Sequence, residues 1–412
     1  MTRTIAYLTG EYPRATDTFI QREVSELRTQ GFTVHTCSIR RTGPEHLVGP
    51  EQRTEAAGTF HVIEAAKRPV TLLRAHFQAL ATPKRYIKAL ILAIGTAPPG
   101  LRGMLYQLFY FLEAAVLAQH LRARGVSHLH NHIAKASCTV AMLASALSGI
   151  PYSFTIHGPD IFFEPHHWRI DAKVARAKFV ACISEFCRSQ VMIFADPAHW
   201  TKLHIVHCGV IPDRYADRPP RPKGRQNMLF VGRLAVVKGM PVLLDALRIL
   251  SKTHPKARLT IIGDGPDRGM LEAESTGLNV DYVGYKSQSE VAEALAQTDI
   301  FVLPSFAEGV PVVLMEAMAA SVPVVTTRIA GVPELVEDGV SGHLVPPGDA
   351  AALAQAITRI LDTDAPQTLG AAGRARVMAE FDIRAEARWL GHLIESYSSN
   401  APTPPKRPQV TP

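Results

Sequence analysis

Two carboxylates and two cations in the carboxyl-terminal half have the types and spacing of a site for hydroxyls and phosphates. Glu308 and Glu316 bracket the run EGVPVVLME (308–316). On a helix, residue 316 lies slightly over two turns beyond residue 308, so both carboxylates can face one pocket. Glu316 stands among Leu314, Met315, Ala317 and Met318 and is expected to be half-buried. Glu308 is expected to end a strand, with a helix starting near Val310 or Pro311, because proline suits a first helical turn. The amides of Gly309, Val310 and Val312 would then face whatever lies beyond the strand ends, and such a terminus holds hydroxyl or phosphate oxygens. Upstream, GRLAVVKG (232–239) places Gly232, Arg233 and Lys238 just past an apolar run. A planar guanidinium with a mobile ammonium can neutralise a diphosphate where no metal does so. Gly263, Asp264, Gly265 and Pro266 spell a tight turn that lets a ligand approach the backbone.

Other residues imitate sites. His128, His130 and His132 alternate along one expected strand and share a face, the arrangement of a three-histidine metal site. No carboxylate partner is evident in the sequence, so no metal is assigned; one or two of them are expected to line the acceptor side of a cleft. Asp362-Thr363-Asp364 ends a helical pattern rather than a strand and is given no metal either. His166-His167 reads as loop surface.

The elements that must position these residues alternate. Strands are expected at 4–8, 32–39, 127–132, 152–157, 179–183 and 204–208, with helical stretches between, the first at 18–30. The same rhythm restarts with strands at 227–232, 259–263, 280–284, 300–304 and 322–326 and helices at 240–253, 350–361, 371–380 and 383–397. Runs such as IFVLP and PVVTT are continuously apolar, as strands buried on both faces are. The fold class is therefore α/β, with two doubly wound Rossmann-like domains facing each other across a cleft. The expected boundaries are 1–210 for an amino-terminal domain with a basic, apolar insertion at about 65–115, and 211–226 for a Pro-rich linker. The second domain is expected over 227–382, a helix packing back on the first domain over 383–398, and a disordered tail over 399–412.

Composition excludes several classes. Of the 412 residues, 47% are hydrophobic and 20% charged, so the chain is not disordered as a whole. The five cysteines all precede residue 210 with no C-x-x-C pair, which excludes a disulfide scaffold and a zinc module and suits a reducing cytosol. The first residues lack a signal-peptide core, and the most apolar stretch, 104–118, is too short to span a bilayer. Residues 1–210 carry 23 Lys and Arg against 14 Asp and Glu, a balance of +9, whereas residues 211–412 carry 21 against 23, a balance of −2. No nucleic-acid module accompanies the basic half, and no nucleic-acid partner is expected. Between Glu64 and Glu113 stand seven Lys or Arg and no acid, interleaved with apolar residues. Residues 67–102 thus read as a segment on an anionic membrane surface, the rival being an inserted helical pair packed on the core.

Together, GRLAVVKG, GDGP, EGVPVVLME, AGVPE (330–334) and the stretch 342–349 resemble the retaining glycosyltransferases of glycosyltransferase family 4, which have the GT-B fold. The resemblance implies that Arg233 and Lys238 hold the nucleotide diphosphate and that Glu316 holds the ribose hydroxyls. Glu308 and the amides from Gly309 through Pro311 to Val312 would hold the donor sugar, with Gly232, Gly263 and Asp264 nearby. In the first half, TIHGPD (155–160) is similar to the family's active-site segment and makes His157 the carried-over histidine. The run TGEYPRATDTFIQREVSEL (9–27) resembles the exopolysaccharide, colanic-acid-type branch; it lacks the Gly-Gly pair that other branches of the family use to approach the donor phosphate, and Gly10 is the only Gly there. The implied enzyme is a hexosyltransferase needing no cofactor or metal, with a nucleoside diphosphate sugar as donor and a lipid-linked or glycan acceptor. The cysteine usage and the basic, apolar segment lead to the expectation of a cytoplasmic protein, peripheral on the inner face of the plasma membrane. The rivals are a nucleotide-sugar 2-epimerase of the same fold and a non-catalytic sugar-nucleotide-binding scaffold.

Overall fold

Short, fully apolar runs closed by Gly, His or Pro give parallel strands here, and the helical periods between them give crossovers. The computed structural model describes residues 3–158, 162–215, 226–363, 366–399 and 405–407. Asp160, Asp364, residues 216–225 of the expected linker, and 400–404 and 408–412 of the expected tail lie outside the described residues. The chain divides into two units: residues 1–14, 23–206 and 387–408 form one, and 15–22, 207–386 and 409–412 the other.

In chain order, the first stretch runs β1 (Thr4–Glu11), α1 (Thr18–Thr29), β2 (Thr33–Arg40), α2 (Pro50–Gly58), β3 (Phe60–His61) and α3 (Val62–Ala66). Then come α4 (Pro69–Leu80), α5 (Pro83–Gly95), α6 (Leu101–Ala123), β4 (His128–His132), α7 (Ala136–Ser148) and β5 (Tyr152–Ile156). The stretch closes with α8 (Ile170–Arg176), β6 (Val180–Cys182), α9 (Glu185–Phe194) and β7 (Leu203–Ile205). Its sheet is entirely parallel, in the order β3-β2-β1-β4-β5-β6-β7. The order reverses between β1 and β4, where a doubly wound sheet opens its ligand crevice at the carboxyl ends. Glu11 and His132 are those ends. The expected insertion is three separate helices, α4 to α6, each of the first two entered through a proline at its first turn.

The second stretch runs β8 (Asn227–Val231), α10 (Met240–Leu250), β9 (Arg258–Ile262), α11 (Arg268–Glu274), β10 (Val280–Tyr282) and α12 (Gln288–Ala296). It continues with β11 (Ile300–Leu303), α13 (Val312–Ala319), β12 (Val324–Thr327), α14 (Val332–Leu335), β13 (His343–Val345), α15 (Ala350–Asp362), α16 (Pro366–Glu380) and α17 (Ile383–Ser398). The order β10-β9-β8-β11-β12-β13, again all parallel, puts its switch point between β8 and β11. Residues 387–398 of α17 count with the first unit: Trp389 donates to the Ile205 carbonyl at 2.9 Å, and His204 meets the Tyr397 hydroxyl at 2.9 Å.

Three details depart from the sequence reading. β11 ends at Leu303, so Glu308 sits in a loop rather than at a strand end. α13 starts at Val312, with Pro311 as its cap residue. The amino-terminal side of the expected linker is ordered: Pro212–Tyr215 is a 3-10 turn with Tyr215 buried, because one aromatic in a polar run found a core to enter.

Candidate functional site

In the second unit, the loops after β8 and β11 are laced together at the switch point. Phe306 N–H donates to the Val237 carbonyl at 2.8 Å. Gly239, in the left-handed region at φ 63°, passes so close to the Pro304 carbonyl that a Cβ would lie 2.2 Å from it. The turn after β9 docks on the same loop: Leu234 N–H donates to the Asp264 carbonyl at 3.0 Å, and Gly263, at φ 132°, leaves no room for a side chain against the Gly232 carbonyl. Glycine at these positions follows from loop meeting loop, whatever ligand binds.

This lacing brings some of the expected residues together. Lys238 Nζ lies 2.5 Å from Glu308 Oε1, and Ser305 Oγ donates to the same oxygen at 2.6 Å. Both members of the pair are partly exposed, at 20% and 11% of their side chains. Arg233 is exposed and has no ion pair among the described residues. The amides of Val310, Val312 and Val313 donate to no backbone acceptor among the described residues, so the start of α13 keeps its donors beside Glu308. Asp264 accepts from its neighbour Gly265 N–H at 2.7 Å and pairs with Arg268 at 2.9 Å.

Glu316 has a different partner from Glu308. Its carboxylate forms an ion pair with Arg22, and the two side chains are 8% and 3% exposed. The Arg22 guanidinium also reaches the Tyr215 hydroxyl at 3.3 Å and Gln288 Oε1 at 3.2 Å, and Arg214 donates to that same oxygen. Burial, with Glu316 nearby, pushes the Tyr215 phenol well above its ordinary range. Nothing in the sequence pairs residue 22 with residue 316.

In the first unit, the strand ends hold a buried polar chain. The Tyr7 hydroxyl donates to Glu23 Oε1 at 2.6 Å, and His132 Nε2 lies 2.8 Å from that oxygen. His132 Nδ1 is 2.8 Å from His157 Nε2. With His132 donating to Glu23, its Nδ1 can only accept, so His157 donates through Nε2 and carries its own lone pair on Nδ1. Burial pushes the His132 imidazole down to about 3 and the Glu23 carboxyl up, and both causes are desolvation. Ile133, a β-branched residue at φ 69°, turns the chain away sharply right after His132. Such a conformation costs on the order of 1–3 kcal/mol and is held by its surroundings. His157 itself is half-buried. Gly10, at the end of β1, has nothing within 4 Å of a would-be Cβ, so it leaves space open rather than fitting a tight contact.

The histidine ladder on β4 is core. His128, His130 and His132 are all buried, and His130 uses both ring nitrogens on Ser153 and Thr155. No carboxylate for this ladder is evident in the sequence, and the structure supplies one: ligand atoms of Glu23, His130 and His132 lie within 4.8 Å of one another. The ring nitrogens of His130 and His132 and the Glu23 Oε1 atom already have protein hydrogen-bond partners. Glu23 was legible in principle. It shares the buried face of α1 with Ile20, Val24 and Leu27, and a carboxylate on an apolar stripe is a signal. Asp362 ends α15 and meets His254 at 3.1 Å, away from any strand end.

Two parallel doubly wound sheets, each presenting polar groups at the carboxyl ends beside its switch point, define the GT-B architecture of nucleotide-sugar glycosyltransferases. Residues 17–214 match the family described as Glycosyltransferase Family 4, and residues 225–363 match Glycosyl transferases group 1. The chain belongs to these family 4, group 1 glycosyltransferases. It is similar to the amylovoran biosynthesis glycosyltransferase AmsK of Erwinia amylovora, at 29% identity over 95% of this chain and 99% of that one. The colanic acid biosynthesis glycosyltransferase WcaL (so described, as putative, in Escherichia coli K12) is 27% identical over the same shares. Among solved structures, Anabaena Alr3699/HepE in complex with UDP and glucose superposes with a TM-score of 0.71 at 18% identity, over 95% of this chain and 99% of that one.

Proposed function

We propose that this glycosyltransferase retains anomeric configuration and works without a metal. It would move a sugar from a nucleoside diphosphate donor to a lipid-linked or polysaccharide acceptor in exopolysaccharide or cell-surface glycan synthesis, in the cytoplasm. The observation that carries the reading is the second unit's edge. An exposed guanidinium at Arg233 with no ion pair among the described residues, the Lys238–Glu308 pair and the amides that open α13 lie on the loops of one switch point. The relatives AmsK and WcaL, described as amylovoran and colanic acid enzymes, support the pathway class, and UDP in HepE supports the donor class.

The chemistry follows from charge. As the bond between sugar and phosphate breaks, negative charge grows on the departing diphosphate, and fixed cations and amides stabilise it more than they stabilise the donor. Arg233 and Lys238 supply the cations. Glu308, held by Lys238 and Ser305, would accept hydrogen bonds from sugar hydroxyls, and Glu316 would take those of the ribose. His157, its ring held by His132, would polarise the acceptor hydroxyl. The leaving diphosphate itself takes the acceptor's proton on the face it departs from, which retains configuration with no covalent enzyme intermediate. The test is a screen of nucleotide sugars with excess chelator, reading release of nucleoside diphosphate. Release with one donor class, undiminished by chelator, is expected. Chelator-sensitive release would end the metal-free reading, and no release with any donor would leave only a binding scaffold.

A further inference from the structure

Helices α4, α5 and α6 are built inside out. A core helix normally buries its large apolar residues and shows its small or polar ones. On α4 the buried residues are Ala75 and Ala79, while Val70, Leu73, Phe77 and Leu80 face solvent at 49–78% exposure. On α5 the buried residues are Ala89 and Ala93, and Ile87, Ile91 and Ile94 are 47–63% exposed. The first half of α6 shows Leu101, Leu105, Leu108 and Phe109 at 37–77% exposure. The spacings of three, four and seven residues make each set one stripe along its helix. α6 packs against both α4 and α5, so the three stripes belong to one small subdomain. At roughly 100 Å² per side chain, the three stripes together expose on the order of 1,000 Å² of apolar surface on this subdomain.

The charges around the stripes have one sign. No acid occurs from 65 to 112, and Lys67, Arg68, Arg74, Lys84, Lys88 and Arg102 are all exposed without an ion pair among the described residues. Arg85 is the exception, spent on the Ser148 carbonyl at the end of α7 at 3.0 Å. A second copy of this chain would set these cations against their like, with no carboxylate between them. An anionic lipid surface complements both features, taking apolar side chains below its headgroups and cations at their level. α6 has the length and hydropathy to cross a bilayer, but Ala114 to Ala118 and Leu121 are buried, with α7 packed against the helix. Its carboxyl-terminal half is thus part of the sheet's covering layer, and only the exposed half can touch lipid.

We propose that the exposed face of α4, α5 and the first half of α6 docks this protein on an anionic membrane leaflet, lying in the interface rather than crossing it. Each cation near such a leaflet is worth about fivefold in partitioning, so Arg74, Lys84 and Lys88 together account for roughly a hundredfold. This rests on none of the chemistry above and is read without any sugar.

The experiment is co-sedimentation of the full chain with vesicles of phosphatidylcholine alone or mixed with phosphatidylglycerol, at low and high salt. Binding that requires the anionic lipid and fades with salt is expected. The Arg74→Glu/Lys84→Glu/Lys88→Glu variant should lose at least thirtyfold in partitioning, and Leu73→Ser/Phe77→Ser should lose comparably, both with wild-type circular dichroism. Phe77→Trp serves if those variants misfold: its emission should move to the blue and be quenched by brominated lipid on adding anionic vesicles. No sedimentation at low salt, or equal sedimentation with neutral vesicles, would overturn the proposal. So would light scattering showing a dimer that Leu73→Ser/Phe77→Ser abolishes, since the face would then belong to a second copy.

Discussion

Replacing Arg22 by Met tests the buried ion pair that fixes Glu316. Methionine has similar reach and no charge, so the change leaves the Glu316 carboxylate buried, with the Tyr215 hydroxyl beside it. Breaking a pair at this burial by removing one partner costs about 3–5 kcal/mol, because the remaining charge has lost its counterion. For a unit of this size each kcal/mol moves the midpoint by about 2–4 °C, so a fall of roughly 6–20 °C is expected. Arg22→Met/Glu316→Leu should recover much of that loss, since removing both charges also removes the desolvation penalty. The assay is urea denaturation of the wild type, both single variants and the double variant, which closes a double-mutant cycle. A loss below about 1 kcal/mol for Arg22→Met, or a double variant equal to the sum of the singles, would refute the coupling. Arg22→Lys is not a neutral control, because an ammonium cannot reach Glu316, Tyr215 and Gln288 as a planar fork does.

Four further outcomes are expected. Arg233→Ala and Lys238→Ala should each lower kcat by about 100-fold or more and weaken free nucleoside diphosphate in calorimetry; unchanged product affinity in both would remove the diphosphate clamp. Glu308→Gln should lower turnover with nucleotide affinity nearly intact, whereas Glu316→Ala should weaken donor and product alike; an equal fall in nucleotide affinity would undo the division of roles. Glu23→Gln and His132→Asn should reduce transfer about tenfold or more through His157 while leaving nucleotide affinity alone, since each lets the His157 ring change tautomer; a variant with full activity would make the chain merely structural. Acid should loosen the first unit early: the native pKa values of His128 and His132 are near 3 against an ordinary 6.5, so the unfolded chain takes up protons that these two refuse. From about pH 6.5 down to 3 each contributes a loss of about 1.4 kcal/mol per pH unit, opposed in part by Glu23, whose raised pKa works the other way. Urea midpoints at pH 7, 6 and 5 that do not fall would contradict this.

Much of the fold was legible because burial on both faces leaves a mark in the sequence. The runs at 152–156, 300–303 and 324–327 are unbroken apolar or small residues, and each is a strand with every residue buried. β3 and β13 were missed, being two and three residues long and paired only by register with a neighbour. The Glu308–Lys238 pair was anticipated as two members of one site, because both lie on loops following strands at the same switch point. Partners that meet through tertiary packing were not. Arg22 finds Glu316 across 294 positions, and Glu23 finds His132 across 109, distances no local period encodes. The inside-out helices sit between these cases. Their charge pattern was visible, but only solvent exposure shows that Phe77 and Ile91 face outward while Ala79 and Ala93 face in.

The stereochemistry of one turnover tests retaining, metal-free transfer most directly. A nucleoside diphosphate α-sugar that the enzyme accepts should be supplied with acceptor and excess chelator, and the anomeric proton of the product followed by NMR from the first minutes. Transfer with the α configuration kept, abolished by Lys238→Ala, is the predicted result. A β-linked product, or α transfer that stops when chelator is added, would contradict it.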